Sequence, residues 1–189
     1  VDNVDINRYY PGIEGIGYVE RIGVREMADH IASVRAEGLY NYLVKPLGTG
    51  PYYYPMVYLE PGTERNRKAL GYDAFSDPIH RTAMEQARDD AIPTVTGKVV
   101  LVQESVAEDQ AGFLMYYPVF QGGEIPEIRA ERRMMLAGYV FSAFRMNNLI
   151  DGIVGLISPF LDVRIYDSGV VARDTLMYGS NLGSLDNEF

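Results

Sequence analysis

The sequence predicts an α+β fold, in which antiparallel strands are flanked by helices. Segments of strand-like composition are mixed with segments of helical periodicity, and after the central helix the strands follow one another in hairpin order. The chain has 189 residues, of which 47% are hydrophobic. A sizeable buried core is therefore expected.

The first third of the chain predicts two strands with a helix between them. Residues 13–22 combine β-favouring side chains with glycines, which weaken a helix, and so predict a strand. Residues 25–37 carry apolar side chains at helical spacing and are followed by Gly38, so they predict a helix. Residues 52–60 predict a strand in which Pro55 is best tolerated at an edge or a strand start.

The central helix has the clearest start signal in the chain. Ser76 or Asp77 can cap it, and Pro78 is preset for its first turn. We expect the helix to run to about Asp89 or Asp90 and interpret His80 as one of its surface residues. Its buried stripe is predicted to consist of Ala83, Met84 and Ala87.

The second half of the chain predicts mainly strands. The expected elements are strands at 97–103, 112–120, 136–145 and 163–166, a hairpin loop at 104–110, a short helix at 149–157 and a turn at 167–169. Arg132 and Arg133 precede the third of these strands and are interpreted as a solvated edge that discourages strand addition.

Composition excludes several classes of function. The formal net charge is −9, which argues against nucleic-acid binding because a phosphate backbone needs a basic face. There are no cysteines, and the two histidines, His30 and His80, do not form a ligand pair. These counts exclude a thiolate or histidine-rich metal centre and leave an oxygen-ligand site open. We predict no metal-ligating residues, no cofactor and no catalytic residues, since nucleophile elbows and phosphate loops are also missing.

The sequence does not predict a membrane span of its own. Its longest apolar run, residues 149–161, is short and is interrupted by Asp151, Ser158 and Pro159. We expect the chain to be a fragment of a longer protein, attached to a membrane only through flanking helices that the fragment does not contain.

A series of short motifs resembles a known family. They are Pro11-Gly12-Ile13, Gly15-Ile16-Gly17-Tyr18, Tyr54-Pro55, Val57-Tyr58, Glu60-Pro61, Ala69-Leu70-Gly71, Asp73, Arg81, Ala87-Arg88, Thr96-Gly97, Gln103-Glu104, Pro118-Val119-Phe120, Arg132-Arg133 and Gly138-Tyr139-Val140. In their order and spacing they resemble CHASE domains, the extracytoplasmic sensory modules of membrane histidine kinases and nucleotide cyclases.

The resemblance implies a stalk and two stacked PAS-like modules with antiparallel sheets. Residues 1–121 would form the distal, ligand-binding module, and residues 122–189 a connecting segment and an incomplete membrane-proximal module. In the plant cytokinin receptors of the family an aspartate bonds the adenine edge of the hormone, and Asp73 occupies the matching position. The predicted ligand-binding residues are Asp73, Met56, Tyr58, Val95, Leu101, Met115 and Tyr117.

Several of these residues have a simpler structural interpretation. Asp73 could bind a ligand or merely cap a turn or the helix that starts near Ser76. The strand aromatics could stack on a ligand or only pack in the core. Because side chains alternate along a strand, Tyr117 and Met115 share one face, and we predict that this face lines the pocket. The chain departs from the cytokinin receptors at Asp90-Ala91 and in the bulky run from Met115 to Tyr117. The identity of their ligand therefore cannot be carried over to this chain.

The resemblance implies a non-enzymatic sensor of a small molecule, homodimeric in the full-length receptor and located on the periplasmic or extracellular side of the membrane. It would signal to a cytoplasmic kinase or nucleotide cyclase, for example a diguanylate cyclase. A ligand-free module for dimerisation or partner binding is the first alternative, and a closed pocket behind Asp73 would distinguish the two. A hydrolase that uses Glu60, Asp73 and Glu85 is the second alternative.

Overall fold

The structure, a computed structural model, describes residues 12–46, 50–101, 111–154 and 163–180. Its strands are β1 (Ile13–Glu20), β2 (Ile22–Gly23), β3 (Tyr52–Tyr53), β4 (Met56–Glu60), β5 (Thr94–Val95), β6 (Val99–Val100), β7 (Ala111–Phe120), β8 (Leu136–Arg145), β9 (Arg164–Tyr166) and β10 (Leu176–Gly179). Its helices are α1 (Met27–Ala36), α2 (Glu64–Arg67), α3 (Pro78–Asp90), α4 (Arg129–Met135) and α5 (Met146–Val154). The predicted α+β class is confirmed.

A six-stranded antiparallel sheet forms the centre of the molecule. Its strand order is β4-β1-β8-β7-β5, and β6 also pairs with β7. At Gly17 of β1, an added Cβ would come within 2.6 Å of the Phe141 ring of β8. Glycine at this position therefore lets an aromatic ring of the core lie directly against the neighbouring strand.

Helix α3 packs on one face of this sheet, and its predicted signals are confirmed. The Asp77 side chain accepts a hydrogen bond from the Ile79 amide at 2.7 Å, and Ala91, with a φ of 55°, ends the helix. The predicted stripe of Ala83, Met84 and Ala87 is buried. The interpretation of His80 as a surface residue is wrong, because His80 is buried on the same stripe, four residues before Met84.

Two further expectations are corrected. Within the described part of the strand predicted at 97–103, which ends at Leu101, only β6 is strand, although Leu101 is buried. Arg132 and Arg133 lie in α4, where both donate hydrogen bonds to Asp89, so they join two helices and do not form a strand edge. The predicted loop at 104–110, the motif start at Pro11 and the end of the helix predicted at 149–157 lie outside the described residues.

The described residues after β8, 146–154 and 163–180, form a smaller layer. β9 and β10 pair with each other, and Met146, Met177 and Tyr178 pack together against Phe113 of β7. β7 and β8 are neighbours in the central sheet, so the predicted boundary between residues 121 and 122 cuts through that sheet. The pairing places β8 with the strands that precede this boundary.

Candidate ligand site

Asp73 lies at the margin of the core, where three segments meet. It follows Gly71, whose φ of 84° and close approach to the Leu43 backbone suit only glycine. The Asp73 carboxylate accepts hydrogen bonds from the amides of Tyr54 at 2.9 Å and Phe75 at 3.3 Å. It thereby caps the 3-10 turn Ala74–Ser76, so the capping role that the sequence left open is present.

The same aspartate borders an open cavity of about 560 Å³. Tyr54 and Phe75 lie side by side in its wall, with their stacked ring centres 4.5 Å apart. The remaining wall comes from Pro46, Gly50, Pro51, Tyr52, Ser76, Arg81, Glu85 and Arg88. This volume lies within the usual range for small-molecule sites, about 300–1,000 Å³.

One wall of the cavity is the outer face of α3. Arg81, Glu85 and Arg88 stand at positions i, i+4 and i+7, which share a face of a helix. The Arg81 guanidinium lies 5.7 Å from the centre of the Phe75 ring, and Arg88 Nε donates to Asp89 at 2.7 Å. Burial raises the pKa of Tyr54, and the positive charges of Arg21 and Arg88 partly oppose that rise.

The interior between α3 and the sheet, in contrast, is filled by side chains. His80 Nδ1 and the Tyr116 hydroxyl are 2.7 Å apart and join the helix to β7. Burial lowers the pKa of His80, partly opposed by Asp77, and raises the pKa of Tyr116 well above its usual value. A remaining cavity of about 10 Å³ beside His80, Met56 and Leu101 holds at most one water.

The seven predicted ligand-binding residues fall into three groups. Asp73 borders the open cavity, and Met56 and Leu101 lie in the filled interior. The other four lie on the sheet face that points away from α3, and none of them borders the cavity: Tyr58, Val95, Met115 and Tyr117. The face that β7 turns toward α3 carries Leu114 and Tyr116, which corrects the predicted orientation of this strand.

Most of the cavity wall is not predicted from the sequence. Arg81 and Arg88 enter the prediction only as motif residues, and Phe75 has no predicted role. The available signal was the spacing of Arg81, Glu85 and Arg88, which places three charges on one side of α3. The approach of this helix to Tyr54 and Phe75 depends on tertiary packing and left no local signal.

Comparison with protein families identifies the family of this chain. The family model for the CHASE domain matches residues 1–178. The chain belongs to the CHASE family. Comparison with curated proteins gives no match. CHASE domains are extracellular sensory domains of signalling proteins and not catalytic domains, so this chain is a sensory domain.

Two further findings concern this CHASE domain. Among the described residues, no helix is long and apolar enough to cross a membrane. The same part of the chain contains no group of three or more histidine, cysteine or acidic side chains that could hold a metal ion.

Proposed function

We propose that this CHASE domain senses a small molecule in the cavity beside Asp73, as the extracytoplasmic or periplasmic part of a dimeric membrane receptor. One observation supports this site above others. The cavity combines a buried carboxylate, a stacked aromatic pair and a charged helix face at ligand-sized volume. In this position the ligand lies on the outer side of α3 and not in the filled interior between α3 and the sheet.

A ligand in this position would act on α3, whose C-terminal end is tied to the central sheet. Arg132 donates to the Asp89 carbonyl at 2.8 Å, and Arg133 donates to the Asp89 carboxylate at 3.0 Å. The hydrogen bond from Arg133 holds the pKa of Asp89 below its usual range, so the pair is charged at neutral pH. Both arginines lie in α4, which leads directly into β8, a strand at the middle of the sheet.

We infer that a shift of α3 reaches β8 through this contact and continues into α5, which follows β8 without a break. From there the signal would pass through the membrane-proximal part of the receptor to a cytoplasmic kinase or nucleotide cyclase. The ligand can bias this change only by its difference in affinity between the two signalling states.

The test is a thermal-shift screen of a metabolite library that includes purines, amino acids and amines. Hits should stabilise the wild type and a Gln86→Trp variant, but not a Glu85→Trp variant. Both residues are exposed on α3, and only Glu85 borders the cavity, so the two variants differ in whether the indole fills it. Hits that are unaffected by Glu85→Trp, or a library without hits, would contradict this site.

A ligand-free interaction module remains the second candidate, and two observations favour it. The interior between α3 and the sheet is filled, and the sheet face opposite α3 carries a row of side chains on adjacent strands, of which only Tyr18 is half-buried and the others are exposed. The register of β4, β1, β8 and β7 aligns this row, which consists of Tyr58, Tyr18, Val140 and Tyr117. The hydrolase alternative loses support, because Glu60 does not border the cavity and the family is not catalytic.

A further inference from the structure

The charges on the cavity wall restrict the chemistry of the ligand. We propose that the ligand is a zwitterion with a carboxylate, an ammonium group and an apolar body, as in an α-amino acid. This inference rests on the proposed function, since it concerns the same cavity. Its basis is the juxtaposition of Arg81, Glu85 and the aromatic pair of Tyr54 and Phe75.

Arg81 and Glu85 are both exposed at the cavity, one helical turn apart. In the described part of the chain neither forms an ion pair, although positions i and i+4 are close enough for one. The order of the two residues disfavours an ion pair between them, because arginine on the N-terminal side of glutamate is the weaker arrangement. Both charges are therefore available to a ligand.

The other two charged groups are already engaged. Arg88 donates to Asp89, and its side chain is only 13% exposed. The Asp73 carboxylate accepts two backbone amides. These groups contribute mainly to the potential of the cavity, so we assign the direct contacts to Arg81 for the ligand carboxylate and to Glu85 for the ligand ammonium.

The net charge of the chain strengthens the assignment of Arg81. With a net charge of −9, the protein as a whole repels carboxylates, so an anionic group needs a local cation to bind. Cβ atoms at i and i+4 on a helix are about 5–6 Å apart, which lets one small molecule contact both charges. The stacked rings of Tyr54 and Phe75 then receive its apolar side chain. A neutral planar base would offer Arg81 no anion and leave it only its contact with the Phe75 ring.

The experiment measures binding of the twenty common amino acids to the whole domain by calorimetry. The strongest binder is then compared with its carboxamide, which lacks the carboxylate charge, and its N-acetyl derivative, which lacks the ammonium charge. Each derivative should bind at least about tenfold more weakly, as expected for a lost hydrogen bond to a charged group. Arg81→Gln should reduce the affinity for the free amino acid similarly and leave the affinity for the carboxamide unchanged.

Arg25→Gln is the matched control, because Arg25 is exposed and does not border the cavity. It removes the same charge from the molecule and should leave the affinity unchanged. Equal affinity for acid and carboxamide, or equal loss in the two arginine variants, would overturn the inference. If uncharged compounds of the metabolite library bind and no amino acid does, and Glu85→Trp abolishes their binding, the zwitterion inference fails and the proposed function stands. If no compound binds, both fail.

Discussion

The two faces of the central sheet differ in what they contribute. The face toward α3 carries Tyr116, Tyr139 and Phe141, which are almost completely buried and form the core. The opposite face is built from alternate residues of the same strands, but Tyr117 on it is 42% exposed. The comparison indicates that stability comes mainly from the first face, whose margin carries the cavity. The second face is covered at Phe113 by the layer after β8 and is open to solvent at Tyr117.

We expect the largest loss of stability at one of two adjacent tyrosines of β7, Tyr116 and Tyr117. We expect Tyr116→Ala to lower the free energy of unfolding by about 3–5 kcal/mol, as for other large aromatic truncations in a core. Tyr117→Ala should cost less than about 1 kcal/mol, because its side chain is already partly in solvent. Urea denaturation of both variants measures this difference, and similar midpoints would show that the faces are equivalent.

A smaller change isolates the polar contact within the packed face. Tyr116→Phe retains the ring but removes the hydroxyl that lies 2.7 Å from His80 Nδ1. The buried imidazole then lacks this partner, so we expect a loss of about 1–3 kcal/mol. Tyr117→Phe is the control and should have no measurable effect in the same denaturation experiment.

At the margin of this face, the structural role of Asp73 can be tested separately from a role in ligand binding. Asp73→Ala removes the acceptor of two backbone amides and should cost about 0.5–2 kcal/mol, the usual range for a lost cap. Asp73→Asn retains an acceptor oxygen and should cost less. Stability is read from thermal unfolding without ligand. An unchanged melting temperature for Asp73→Ala would rule out the structural role.

The buried histidine predicts a pH dependence with a definite sign. Because burial lowers the folded-state pKa of His80, the unfolded state binds a proton more readily. The stability that the neutral pair contributes is complete above the unfolded pKa of about 6.5 and is lost as the pH falls through the folded pKa. Tyr116, Tyr72 and Asp77 are the groups that face the ring.

Unfolding measured between pH 7.5 and pH 5 checks this dependence, with His80→Gln as the comparison. The variant should be less stable at pH 7.5, and its stability should fall less steeply with acidification. Parallel pH profiles for the two proteins would show that His80 does not account for the loss.

We expect the smallest change in stability from substitutions on the sheet face opposite α3. The double substitution Tyr58→Ser and Tyr117→Ser should leave the melting temperature nearly unchanged, since exposed substitutions usually stay within about 0.5 kcal/mol each. Light scattering of the wild type and the variant then tests whether this face mediates self-association, which the interaction module requires. A wild-type dimer that the substitution dissociates would place the contact between copies on this face, whereas identical masses would leave the face without a role in self-association.

Local chemistry is sufficient to predict several elements of the fold. The start of α3 follows from Asp77 and Pro78, which satisfy and preset the first turn, and its buried stripe follows from helical periodicity. β8 agrees with its predicted bounds, and β7 differs from them by one residue, because both are long apolar runs between turn signals. The resemblance of the motifs gave the family, which the family comparison confirms.

The buried face of β7 is selected by tertiary packing and not by the sequence of the strand. Alternation divides the strand into two sets, but Leu114 and Tyr116 are as apolar as Met115 and Tyr117, so hydropathy cannot choose between them. The choice is made by α3, whose His80 bonds Tyr116. The same packing fills the interior and leaves the cavity outside α3, because long-range contacts, and not local propensity, determine where space remains.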